Sequence, residues 1–179
     1  MLYLEGMNGK FICEGEKYKL GGINNDVIGL SVSFENLPEE IKIQETKLYP
    51  PAPFHVSLVY VRKTIANYNI LIPDFSNRIV EDFCDFTKSN PIEITRYNNE
   101  YKFVNRDGIK KTVIVMCEVS NINKFFDLMN KKYGLNVKYP VTHVTLYNTL
   151  KGEPGIYLMD QDDIKNFTTP IKNPLGFSL

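Results

Sequence analysis

Short apolar runs rich in β-branched and aromatic residues dominate the first third of the chain, and helical spacing enters only after them. Lys10 to Glu14, Val27 to Phe34 and Ile41 to Tyr49 read as strands, with Gly21-Gly22 and Asn24-Asn25 punctuating them. Pro50, Pro51 and Pro53 force extended backbone into Phe54 to Val61 (FHVSLVYV), a further strand. The period changes after Pro73. Phe75, Ile79, Phe83 and Phe86 lie at spacings of 4, 4 and 3, one apolar stripe of a helix from Pro73 to about Lys88 that Asn90-Pro91 stops. A meander is predicted next. Ile92 to Tyr97 turns at Asn98-Asn99 into Glu100 to Val104, and Asp107-Gly108 leads as a hairpin into Lys110 to Val119. A second helix is predicted from Asn121 to Tyr133, with Ser120 as N-cap, Gly134 as stop, and Ile122, Phe125, Phe126 and Met129 as its buried face. Pro140 to Asn148 (PVTHVTLYN) is another strand, and Asp160 caps a short last helix containing Ile164 and Phe167.

Strands with antiparallel turns, flanked by two helices, define an α+β fold. The 179 residues suit a single domain over 1–179, with room for two lobes, and 43% hydrophobic residues can fill a sizeable core. Lys plus Arg and Asp plus Glu each number 21. Proteins that coat long nucleic acid usually carry a basic excess, and none is present globally. Cys13, Cys84 and Cys117 form an odd set without framework spacing, so reduced, partly buried thiols are expected. Met1 to Lys10 carries Glu5 and lacks the basic start of a signal peptide. The longest apolar runs, such as Val113 to Cys117, are too short to span a membrane. A monomeric, cytoplasmic protein without a membrane partner is the expectation.

The chain has two histidines, and both sit in one local pattern: His55-Val56-Ser57-Leu58 and His143-Val144-Thr145-Leu146. Within a strand, residues i and i+2 share a face about 6.6–7 Å apart. His55 and Ser57 therefore point one way, as do His143 and Thr145, while the intervening Val and Leu residues face the core. Two such strands side by side would bring two imidazoles and two hydroxyls to one cleft. That set suits phosphodiester cleavage. A neutral imidazole can take a proton from an attacking hydroxyl, and a charged one can give a proton to the leaving oxygen. Serine and threonine hydroxyls can donate to the non-bridging phosphate oxygens.

Paired His-x-Ser/Thr motifs on strands, here 88 positions apart, resemble the hallmark of the 2H phosphoesterases, which include LigT-type 2′-5′ RNA ligases and cyclic nucleotide phosphodiesterases. The helix, meander and helix between the motifs are similar to that family's arrangement, so the resemblance covers about Phe54 to Asn148. It implies a two-lobed, pseudo-symmetric pair of antiparallel sheets around a central cleft. It also implies that His55 and His143 are the acid–base pair and that Ser57 and Thr145 bind phosphate. No metal or other cofactor is implied, and activity is expected to be bell-shaped around pH 6–8. The implied substrate is a 2′,3′-cyclic phosphate, a 2′-5′ linkage or a cyclic oligonucleotide signal. RNA-end processing, 2′-5′ ligation and sequestering of a nucleotide without turnover are the alternatives. High Asn, Lys and Ile usage fits an AT-rich viral or bacterial genome, and a viral origin would favour immune nucleotide signals as substrate. The family commonly places a strand and helix before its first motif, and no helix is predicted in the first fifty residues here.

Three further residues are candidates for holding substrate. Tyr147 shares the alternation face of His143 and Thr145 and could stack on a base. Lys63 has the parity of His55 and could approach a phosphate. Tyr139, with Lys138, precedes the second motif and could line the cleft rim. Tyr60 has the opposite parity and is assigned to the core. Metal ligation finds no support in the pattern, because no Cys, His or Asp cluster of ligand spacing accompanies the histidines. Asp160, Asp162 and Asp163 lack the glycine and distal glutamate of a calcium loop.

Overall fold

The computed structural model describes residues 9–22, 24–51 and 53–179. The signal-peptide reading of Met1 to Lys10 falls mostly on residues 1–8, outside those described. The fold is mixed α+β, built on one eight-stranded antiparallel sheet. In chain order its strands are β1 (Lys10–Ile12), β2 (Tyr18–Gly21), β3 (Val27–Val32), β6 (Phe54–Tyr60), β7 (Ile94–Asn105), β8 (Lys111–Val119), β9 (His143–Asn148) and β10 (Thr168–Ile171). In space they run β1-β2-β3-β6-β9-β8-β7-β10. Strands β4 (Ile41–Ile43) and β5 (Thr46–Leu48) form a separate hairpin. The helices are α1 (Val61–Asn67), α2 (Phe75–Ser89), α3 (Ile122–Tyr133) and α4 (Gln161–Phe167). The two histidine strands, far apart in sequence, are neighbours at the centre of the sheet.

One face of the sheet carries the main core. The predicted stripes of α2 (Phe75, Ile79, Phe83) and α3 (Ile122, Phe125, Phe126, Met129) are buried against Val56, Leu58, Val144 and Leu146 of the histidine strands. Edge-on aromatic pairs tie the layer together, with Phe83 and Phe125 centroids 5.2 Å apart. On the opposite face a smaller cluster of Val104, Ile114, Val141, Ile156 and Leu158 takes in Ile164 and Phe167 of α4. Asp160 caps α4 as predicted, accepting from the backbone N–H groups of Asp162 and Asp163.

Several elements depart from the sequence reading, each for a local reason. Asn98-Asn99 does not turn the chain. Asn99 takes a left-handed conformation (φ 54°) inside a bulge between Tyr97 and Tyr101, and β7 runs on through it as one strand. Ser120 does not cap α3, whose N-cap is Asn121. The Ser120 hydroxyl instead accepts from Glu93 N–H and donates to the Pro91 carbonyl, tying down the loop before β7. Strands β2 and β10 and helix α1 carried no clear signal. The thiols are not all reduced: Cys13, in the turn after β1, is bonded to Cys84 of α2, with 4.9 Å between Cα atoms. Only the fold brings residues 71 positions apart together. Cys117 is free and buried, and burial pushes its thiol up to about 12. Among the described residues no helix is long and apolar enough to cross a membrane.

Candidate active site

The geometry of the two motifs follows from one register pair. Val56 of β6 lies opposite Val144 of β9 in an antiparallel ladder. Continuing that register one residue each way sets His55 across from Thr145 and Ser57 across from His143. All four point to the face away from α2 and α3. The result is a crossed quartet, in which each imidazole neighbours the other strand's hydroxyl. The two histidines are diagonal partners, which places the residues about 7–8 Å apart, with their Cβ atoms somewhat closer. The floor around them is set by the flanking strands. Gly29 pairs with Ser57 and leaves space beside it, while Met116 and Ile114 pair with His143 and Thr145.

Each histidine strand bulges just beyond its hydroxyl. On β6 the pairing slips between Ser57–Gly29 and Val59–Ile28, and on β9 between Thr145–Ile114 and Tyr147–Val113. A bulge inserts one residue and so reverses the alternation of everything after it. This corrects two assignments at once. Tyr147, expected beside His143 and Thr145, is fully buried in the main core, and its hydroxyl donates to the Pro38 carbonyl at 2.9 Å. Tyr60, assigned to the core, faces the site. Its hydroxyl sits beside Ser57 and the Leu158 backbone, and burial raises the phenol above its usual range.

The quartet lines a cavity of about 310 Å³, together with Gly22, Asn24, Asp26, Tyr60, Lys63 and Tyr157, among others. Lys63 reaches it from α1, not from a continued strand. A strap at residues 154–157 forms one lip. Gly155 packs so close to Thr145 that a Cβ there would lie 2.2 Å from Thr145 Oγ1, so only glycine fits this approach. The strap is anchored on both sides. Asn148 donates to the Glu153 carbonyl, and Arg106 donates to the Tyr157 carbonyl at 2.8 Å and to Asp163 at 3.0 Å. Tyr139 is not on the rim. It is 47% exposed and donates to Asp127 of α3 at 2.6 Å, because the chain leaving α3 holds it on the helix side. Lys138 is engaged with Asp160 and Asp162. Sequence spacing held no signal for Tyr157, Gly155 or Asp26.

Burial dominates the electrostatics. His143 is 5% exposed and His55 half-buried. Desolvation lowers both imidazoles from the usual 6.5 to about 4. For His143 the Val141 carbonyl, 3.3 Å from Nδ1, works weakly against this, and the proximity of His55 adds to it. His55 Nδ1 is shielded from water and makes no hydrogen bond of normal geometry, although the Pro53 carbonyl favours its charged form slightly. Both rings are therefore neutral at pH 7. Among the described residues no group of three or more His, Cys, Asp or Glu side chains is placed to hold a metal ion. No family model, curated protein or solved structure matches the chain.

Proposed function

We propose that the protein is a metal-independent phosphodiesterase that cleaves a nucleotide phosphodiester by acid–base catalysis between His55 and His143. The observation that carries this reading is the crossed quartet, two imidazoles and two hydroxyls from adjacent central strands, facing one cavity. A phosphate between the Ser57 and Thr145 hydroxyls would have an imidazole on either side. In-line displacement needs that arrangement, with the base at the attacking oxygen and the acid at the leaving oxygen. A phosphate held there also brings a negative charge beside the buried rings. A negative group beside a desolvated imidazole favours imidazolium, so substrate itself creates the general acid. The Tyr60 hydroxyl lies beside Ser57 at the same end of the quartet.

The order of strands supports the two-lobed arrangement of the 2H phosphoesterases. The sheet divides at the β6–β9 seam into β1-β2-β3-β6 and β9-β8-β7-β10, each half ending in a His-x-Ser/Thr strand with a bulge after the hydroxyl. All four groups come from one chain, which fits a monomeric enzyme. A cytoplasmic setting fits a nucleotide substrate.

A second reading, capture of a nucleotide without turnover, is favoured by the neutrality of both buried imidazoles at pH 7. Incubation with candidate nucleotides followed by denaturation separates the two. An enzyme releases product, and a sequestering protein returns the ligand unchanged.

A further inference from the structure

The cavity continues past the quartet to an end built from α1 and the 154–157 strap. Lys63 lies there with its Nζ 3.4 Å from the centroid of the Tyr157 ring. Among the described residues it makes no ion pair. Arg106 also lies over Tyr157, its Cζ 4.0 Å from the same centroid, but its charge is taken by Asp163 at 3.0 Å. Arg106 therefore fixes the tyrosine, and the tyrosine parks an uncommitted ammonium in the cavity. A cation–π contact is a weak holder that a true anion displaces. Asp26 lines the same cavity and does not pair with Lys63.

Position separates Lys63 from the hydroxyls. Tyr60 comes three residues after Ser57, on the order of 10 Å along the strand. Lys63 follows it by most of a helical turn, and the Tyr60 and Tyr157 ring centroids are 6.4 Å apart. The scissile phosphate has its two hydroxyl donors at the quartet. The Lys63 end of the cavity lies beyond Tyr60 and opens to solvent, since Tyr157 is 36% exposed. We infer that Lys63 and Tyr157 form a subsite for a second phosphate, one nucleotide from the bond that is cut. The preferred substrate is then a di- or oligonucleotide and not a nucleoside cyclic monophosphate. The inference rests on the phosphodiesterase reading for which phosphate is scissile, and its test is a binding measurement that does not depend on turnover.

Calorimetric titration of the His143→Gln chain, chosen to stop cleavage, compares diadenylate with and without a 5′-phosphate, in both 2′-5′ and 3′-5′ linkages. Should that variant fail to fold, as read by circular dichroism, His55→Gln provides the second background. The 5′-phosphate is expected to tighten binding about 10- to 100-fold in one linkage, the range of a charge-assisted hydrogen bond. Lys63→Met should erase that gain, whereas Lys165→Met, which removes an exposed charge from α4, should keep it. Equal binding of the two ligands, equal weakening of both by Lys63→Met, or no binding of either would overturn the subsite. Turnover by the unsubstituted chain is assayed separately. A chain that gains from the 5′-phosphate through Lys63 yet cuts neither ligand overturns the phosphodiesterase reading and leaves the subsite standing.

Discussion

Acidifying the solution from pH 7 to pH 5 acts directly on the two imidazoles. With a pKa of about 4, each is charged in about one molecule in a thousand at pH 7 and about one in ten at pH 5. The proposed chemistry needs one imidazolium and one imidazole. Because kcat/KM reports the free enzyme, it should rise by nearly tenfold per pH unit between 7 and 5 and turn over near 4. The optimum near pH 6–8 expected from the sequence thus does not hold for kcat/KM; for kcat, bound phosphate favours the charged ring and moves the optimum back up. Stability moves the opposite way. In the unfolded chain the imidazoles bind protons near 6.5, in the folded chain near 4, so the unfolded state holds more protons between these values. Stability is thus complete above about pH 6.5 and declines as pH falls toward 4, by up to roughly 3 kcal/mol for His143 alone. Initial rates from pH 4.5 to 8.5, with urea melts at the same points, test both trends. A kcat/KM that is flat or rising from pH 5 to 8 in protein shown to be folded would refute the neutral, buried pair.

Four further substitutions probe the site and the core behind it. Ser57→Ala and Thr145→Ala should each lower kcat about 10- to 10³-fold with a smaller change in KM, as expected when a transition-state donor is lost; a raised KM with kcat unchanged would reassign them to ground-state binding. Gly155→Ala should lower kcat/KM by displacing either Thr145 or the strap and should also lower the thermal midpoint, since the added methyl overlaps Thr145; wild-type kinetics would show that the close approach has no functional role. Tyr147→Ala should destabilise the fold by about 3–5 kcal/mol in urea titration, as for other large aromatic truncations in a core, with little change in KM measured on the folded fraction.

The sequence was most legible where period and partner are local. The stripes of α2 and α3, the Asp160 cap and the faces of His55, Ser57, His143 and Thr145 follow from spacing alone. Alternation failed at the residue beyond each motif, because a bulge belongs to the pairing of two strands and leaves no mark in either one. Tyr147 and Tyr60 exchanged places for that reason. Asn98-Asn99 carried a true backbone signal, a left-handed residue, that the sheet used as a bulge and not as a turn. Cys13–Cys84, the Gly155 approach and the Lys63–Tyr157–Arg106 stack join distant segments, and single-sequence spacing cannot encode such contacts.

The most direct measurement is turnover of a nucleotide panel in EDTA, comparing the wild type with His55→Ala and His143→Ala. The panel holds cyclic mono-, di- and trinucleotides and 2′-5′ oligoadenylate, with products separated by chromatography and folding checked by circular dichroism. The account predicts that the wild type converts at least one member in EDTA. Either variant, still folded, should lose about 10²–10⁴-fold in kcat, the range of one acid–base contact. Wild-type turnover by either folded variant, or recovery of every nucleotide unchanged from the wild type, would contradict it.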